Sequence, residues 1–298
     1  MKQRFIDNRC MKMGVSGDIH TAGYYQQSVT HEVFIIKSLY LRWVLPAAIL
    51  AAVWIICGGF MGSTEKVVIT DFAMNTSITI TVYAKNKKKA EAAIRRAFDE
   101  IARIEHVLEP LKGDGDLEKI NRAGHGNWWD MNPDIRAVLM KSKFYFDMSG
   151  GAFDPTIGPV KWLWDFENGG RVPSGDELDR TLPLVGLGGV EIKGSRFCYS
   201  KEGMKLDFGA IAKGYAVDRM ADVLRRNGIT SALVNAGGNI TTIGKKPGNE
   251  AWVIGVRHPR NDGTILVEPA PYVSVATSGD YERYFIRDGV RYHHILDP

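Results

Sequence analysis

The stretch Lys205-Leu-Asp-Phe-Gly-Ala-Ile-Ala-Lys-Gly-Tyr-Ala-Val-Asp218 constrains this chain more than any other. Leading into it, Met204, Leu206 and Phe208 alternate with Lys205 and Asp207, the period of a half-buried strand. Beyond it, Ala212, Ala216, Met220 and Leu224 recur at helical spacing until Gly228, which is placed to end the helix as a left-handed cap. Ser231-Ala-Leu-Val-Asn235 predicts a second strand, followed by Ala236-Gly237-Gly238. The unit is strand, small-residue turn, helix, strand, glycine turn. It sets Gly209, Ala210 and Ile211 at the mouth of a helix, where backbone N–H groups lack intrahelical partners and the macrodipole is positive. An anion would be held there. Lys213, unfavourable in a first helical turn, makes sense beside a phosphate; the same residues also read as a solvated lysine and glycines that only turn the chain.

Two familiar phosphate motifs are excluded. A Walker loop needs Gly-Lys before a hydroxyl, whereas Lys213 precedes Gly214 and no Ser or Thr follows. A dinucleotide fingerprint needs three spaced glycines, which Gly209 and Gly214 do not supply.

The chain has 298 residues, enough for one large domain or two small ones, and its 24% charged fraction is that of an ordinary globular protein. A formal charge of +4, with basic residues dispersed among acids, does not indicate nucleic acid. Cys10, Cys57 and Cys198 are too far apart to build a disulfide framework or a metal-ligand spacing.

Residues 1–42 are polar, mixed and without periodicity, and read as a disordered cytoplasmic segment or as translation from a start upstream of the natural one. Trp43 to Thr64 carries no charge and is long enough for the roughly 20 residues of a bilayer span. Residues 43–62 therefore predict a transmembrane or signal-anchor helix, and the basic residues ahead of it put the bulk of the chain outside the cytoplasm. A signal peptide cut near Gly58 to Ser63 and a lipid on Cys57 are the rival readings, the second disfavoured by bulky Ile55 and Ile56. All three place the rest of the chain across the membrane.

Further on, Ile78, Ile80 and Val82 alternate with Thr79, Thr81 and Tyr83 as a strand. Asn86 caps a helix whose stripe is Ile94, Phe98, Ile101, Ile104 and Leu108, stopped by Pro110. Asn132-Pro133 opens another, with Ile135, Val138, Leu139 and Phe146 inward and Gly150-Gly151 at its end. Gly169 to Gly194 reads as loops with short strands. The irregular alternation of strands and helices suggests α+β.

Two constellations stand out. Ser149-Gly-Gly-Ala-Phe-Asp-Pro-Thr156 lets backbone approach a ligand, with Asp154 held extended by Pro155, although a plain turn explains it as well. Near the C-terminus, Asp288-Gly289 between two apolar-aromatic runs predicts a tight hairpin, with Phe285 opposite Tyr292, Tyr284 opposite His293 and Arg283 opposite His294. Strand alternation sends His293 and His294 to opposite faces, so one of them at most enters a pocket. Arg283 facing His294 would favour a neutral imidazole, competent as a base. Asp280, Arg283 and Asp297 keep it company; otherwise both histidines are half-exposed strand residues.

Taken together, these segments resemble the ApbE family, the FAD:protein FMN transferases. The matching pieces are Met74-Asn-Thr76, Gly150 to Thr156, Leu206 to Asp218, Val234-Asn-Ala-Gly-Gly238, Ala276 to Arg283 and His293-His-Ile-Leu-Asp-Pro298, together spanning about residues 67–298. The resemblance implies an α+β, T-fold-like domain in the periplasm, behind an inner-membrane anchor. It implies magnesium-dependent transfer of FMN from FAD to a threonine hydroxyl of a partner flavoprotein, a membrane electron-transfer subunit, with release of AMP. By the same resemblance Met74 and Ala152, Phe153 and Asp154 line the flavin nucleotide site. Asp207, Lys213 and Ile295 bind FAD, the Ala210 carbonyl is one metal ligand, and His294 is the base. FAD hydrolysis to FMN and AMP is the alternative, as is a membrane-anchored flavin-binding protein without catalysis.

Three departures accompany the resemblance. Leu111 stands where the family usually has a tyrosine that stacks on flavin, and Asn239 where it usually has aspartate. The family also continues past His-Ile-Leu-Asp-Pro with a segment supplying metal-ligating Asp and Thr, so a domain incomplete at its C-terminus is expected.

Overall fold

The computed structural model describes residues 63–296, apart from 112, 259, 260, 262, 268–273, 281 and 282. The apolar run 43–62, Cys10, Cys57 and Asp297 lie outside the described residues. Among the described residues no helix is long and apolar enough to cross a membrane.

Strand β1 (Glu65–Ala73) turns through Met74 and Asn75, both at positive φ, into the antiparallel strand β2 (Thr76–Ala84). The alternation read from β2 is real: Ile78, Ile80 and Val82 have no exposed surface. The Asn86 side chain accepts from Lys89 N at 3.0 Å and starts α1 (Lys87–Leu108), which buries Ile94, Ile101, Ile104 and Leu108 and half-buries Phe98. After α2 (Asp116–Ala123) and the short β3 (Trp129–Asp130), Asn132 accepts from Asp134 N and starts α3 (Pro133–Met148). Gly150 and Gly151 at positive φ close α3, with Gly151 N donating to Phe146 O.

Short helices α4 (Gly158–Leu163) and α5 (Gly175–Thr181) precede β4 (Val190–Lys193) and β5 (Arg196–Tyr199). Helix α6 (Ala212–Arg226) ends at Gly228, with positive φ and Ile229 N bonded back to Leu224 O, as its glycine predicts. Strands β6 (Ala232–Ala236) and β7 (Asn239–Ile243) join through Gly237-Gly238, both at positive φ. The remaining strands are β8 (Ile254–Arg257), β9 (Thr264–Val267), β10 (Ser274–Ala276), β11 (Tyr284–Arg287) and β12 (Val290–His293).

The main sheet has the order β1-β2-β6-β7-β10, antiparallel throughout. Its register sets Ile78 opposite Ala236, Ile80 opposite Val234 and Val82 opposite Ala232, so the buried residues share one face. Helices α1 and α6 pack on one another and against this sheet. Helices on an antiparallel sheet make the α+β layer expected from the sequence. Each fully buried isoleucine there contributes roughly 1.5–3 kcal/mol relative to an exposed one.

Two expectations change. The alternating segment 204–208 is extended but belongs to no strand. Its alternation reflects burial of Met204, Leu206 and Phe208, while its backbone is held by side chains rather than a ladder. The segment 169–194 contains a true helix, α5, because Ser174 and Glu177 form a reciprocal capping box among the glycines and prolines.

Candidate functional site: the Asp207 turn and the His294 hairpin

Asn121 of α2 holds the extended segment. Its Oδ1 accepts from Leu206 N at 2.9 Å and its Nδ2 donates to Leu206 O at 2.9 Å, so one side chain replaces a strand partner. Tyr199 donates its hydroxyl to the same Oδ1 at 2.7 Å. The next residue, Asp207, is fixed from the other side, its N donating to Pro155 O at 2.8 Å.

The buried Asp207 carboxylate accepts from Lys161 Nζ at 2.7 Å and Trp162 Nε1 at 3.2 Å, and its other oxygen accepts from Gly209 N at 2.7 Å. Glycine at 209 leaves room for this pair, since a Cβ there would sit 2.9 Å from both Asp207 Oδ1 and Lys161 Nζ and one of them would have to shift. This corrects the expected row of unpartnered amides. Gly209 N is satisfied by Asp207, and Ile211 N and Ala212 N both donate to Phe208 O. The residue types that build the turn also consume most of its donors.

The Ser149–Thr156 loop is tied to the same region. Asp154 Oδ1 accepts from Thr156 N at 2.7 Å and from the Thr156 hydroxyl at 2.6 Å, while Oδ2 accepts from Leu187 N at 3.2 Å. Thr156 Oγ1 in turn accepts from Gly186 N. Asp154 thereby shapes the loop. Beside it opens an apolar cleft of about 290 Å³ lined by Tyr145, Met148, Ser149, Phe153, Ala210 and Ile211. Phe153 packs its ring against the Tyr145 ring at 6.1 Å, and Ala152 is exposed next to it.

The C-terminal hairpin has the predicted register. Phe285 pairs with Tyr292 and Tyr284 with His293 around Asp288-Gly289, both at positive φ. His294 N donates to Arg283 O at 3.1 Å, extending the pairing by one position. Alternation puts Arg283, Phe285, Tyr292 and His294 on one face. That face meets the chain after α4, where Trp164 lies 5.7 Å from Tyr292 and Phe166 lies 5.6 Å from Phe285. His294 is thus the histidine turned toward the Lys161 side, and His293 is turned away.

His294 Nδ1 lies 3.1 Å from Arg283 O. A carbonyl only accepts, so Nδ1 carries a hydrogen, and in the neutral ring Nε2 is the nitrogen that presents its lone pair. Burial first, then the positive charges of Arg283 and Lys161, hold the imidazole below its ordinary value. The Arg283 effect read from the sequence has the right sign, with burial the larger cause.

Other expected residues are placed as follows. Met74 sits on the β1–β2 turn with its N donating to Glu105 Oε1 at 2.7 Å. The Gly237 turn lies against it, where a Cβ would overlap Thr76. Lys213 is half-buried in the first turn of α6, Ile295 is exposed after β12, and Leu111 is exposed. Asn239 Nδ2 donates to Ala236 O, which an aspartate in its place could not do. For a divalent cation the fit is poor. The described residues hold no group of three His, Cys, Asp or Glu able to bind one, and the Asp207 carboxylate is already committed to three donors. Sequence reasoning missed Lys161, Trp162 and Asn121. The signal available for the first two was their position just after the Gly150–Thr156 motif.

Comparison with known proteins accords with this geometry. The family model described as "ApbE family" matches residues 74–298. The FAD:protein FMN transferase of Treponema pallidum (strain Nichols) is 33% identical over 269 residues, covering 83% of this chain and 74% of that protein. That of Klebsiella pneumoniae (strain 342) is 35% identical over 231 residues, covering 76% and 70%. Among solved structures, the ApbE protein of Thermotoga maritima superposes with a TM-score of 0.72 at 35% identity, over 78% of this chain and 76% of that one. The flavin transferase ApbE of Vibrio cholerae gives 0.70 at 27% identity, over 78% and 76%. With the family model matching three quarters of the sequence and named relatives 33% and 35% identical, this chain belongs to the ApbE family.

Proposed function

We propose that this chain is an FAD:protein FMN transferase, taking FAD as substrate, moving FMN to a threonine hydroxyl of a partner flavoprotein and releasing AMP. The observation that carries the reading is the His294 imidazole, its Nδ1 3.1 Å from Arg283 O and its charged form disfavoured by burial and by the charges of Arg283 and Lys161, on the hairpin face that meets the chain after α4. The two relatives described above, which bear that activity's name, match along 74% and 70% of their own length. The apolar cleft at Tyr145, Met148 and Phe153 suits a planar ring system, next to a turn rich in main-chain groups.

In the reaction the acceptor hydroxyl oxygen attacks the phosphorus of the FMN half. Its proton passes to His294 Nε2, the new P–O bond forms, and the bridging P–O bond breaks so that AMP leaves with the bridging oxygen. The Asp207 turn, pinned by Asn121, Pro155 and Lys161, supplies a fixed backbone against which the substrate is oriented. A magnesium requirement rests on the resemblance and on one donor, the Ala210 carbonyl. The described residues do not complete its shell, and no step above depends on it.

The reading extends to the chain's location. Residues 1–42 would stay in the cytoplasm, 43–62 would anchor the chain in the inner membrane, and the domain 67–298 would face the periplasm, where a membrane electron-transfer flavoprotein is the acceptor. Its support is the uncharged run with basic residues ahead of it. The test is AMP release from FAD by the full chain, with and without magnesium and an acceptor flavoprotein. Flavin attached to the acceptor one-for-one with AMP is expected. Free FMN alongside AMP would establish hydrolysis instead, and bound FAD without AMP would reduce the protein to a flavin binder.

A further inference from the structure

Among the described residues, strands β11 and β12 pair only with each other and join no other sheet. A lone two-stranded hairpin is marginal in water, so its placement has to come from side chains that dock it. Four rings do this. Phe285 stacks on Tyr292 at 5.2 Å, Trp164 stacks on Phe166 at 6.2 Å, and the two pairs meet at 5.6 and 5.7 Å. The seat for Phe285 exists because residue 170 is glycine at positive φ; a Cβ there would overlap the Phe285 ring. Phe285 and Tyr292 share their face with His294, two residues beyond Tyr292, and the described contacts of His294's own backbone run back into the hairpin at Arg283.

We propose that Phe285, seated on Gly170, is a positioning residue that sets His294 against the Lys161–Asp207 side of the site. The inference rests on the reading of His294 as the base. Loss of the clasp undocks the hairpin, so the imidazole loses its place and its burial while the main sheet and the Asp207 turn keep theirs.

The test uses Phe285→Ala in the full chain, with Phe285→Tyr as the conservative control and Gly170→Ala as an independent way to unseat the ring. For Phe285→Ala and Gly170→Ala, kcat for AMP release should fall by ~10- to 100-fold while the Kd for FAD stays within about twofold, the signature of misplaced chemistry rather than lost binding. The His294 imidazole, followed by NMR, should titrate higher as it leaves burial and the charge of Lys161, while Arg283, its cross-strand neighbour, stays beside it. Phe285→Tyr should retain wild-type kcat. Unchanged kcat in both unseating variants would overturn the proposal, and so would a loss of kcat with the His294 titration unmoved. His294→Asn separates the two claims. If it keeps AMP release, the base reading fails; if it loses release while Phe285→Ala does not, only the clasp fails.

Discussion

The sheet with α1 and α6 and the hairpin β11–β12 are held by opposite means. In the first, burial is spread along four periodic patterns: alternate residues of β2 and of β6, and the stripes of the two helices. In the second, four rings and one glycine seat do the work. The Asp207 turn resembles the hairpin in this respect, being fixed by single side chains of Asn121 and Lys161. Distributed burial makes the core tolerant and sets global stability. Concentrated contacts place a few atoms accurately and fail one at a time.

Substitutions can break this contrast. The largest effect on turnover should come from His294→Asn, a loss of about 10²–10⁴ in kcat with FAD binding and melting temperature unchanged. Ile101→Ala in the buried stripe of α1 should do the reverse, costing about 2–5 kcal/mol of stability in denaturant titration while kcat at low temperature holds. Asn121→Ala tests the intermediate case. Leaving the buried Leu206 backbone short of partners should cost about 1–3 kcal/mol, and the loosened Asp207 turn should also weaken FAD binding measured by fluorescence quenching.

The smallest effect is in pH. Because the His294 imidazole is held below its ordinary value of 6.5, the acid limb of kcat should lie below that pH, and Lys161→Met should move it upward by removing a nearby cation. The linked stability has a definite sign. The unfolded chain takes up the His294 proton first, so stability is present above its ordinary range and declines as pH falls through that value toward the folded one.

The distributed regions were legible in the sequence because periodicity and caps are local signals. Asn86 and α1, Asn132 and α3, Gly228 and α6 all follow from residues within one element. The hairpin was legible for the same reason, since Asp288-Gly289 dictates its own turn. The segment 204–208 was not. Its alternation announces burial, but its backbone partner is an amide 85 residues away, and only the folded chain brings Asn121 to Leu206. Lys161 was missed likewise, as its ion pair spans 46 residues. The amides of Gly209 and Ile211 were misjudged because the helix-mouth argument counted donors without the neighbouring acceptors, Asp207 and Phe208 O. Helix α5 was missed although its Ser174–Glu177 box was on view, because surrounding glycine and proline outweighed it.

The most direct measurement is a paired count of products from the full chain with FAD, magnesium and an acceptor flavoprotein, for wild type and His294→Asn. AMP is quantified by chromatography and covalent flavin by in-gel fluorescence. The expected result is one AMP per flavin attached in the wild type, with both lost together in the variant. Equal release by the two proteins would contradict the role assigned to His294, and AMP without attached flavin would contradict transfer itself.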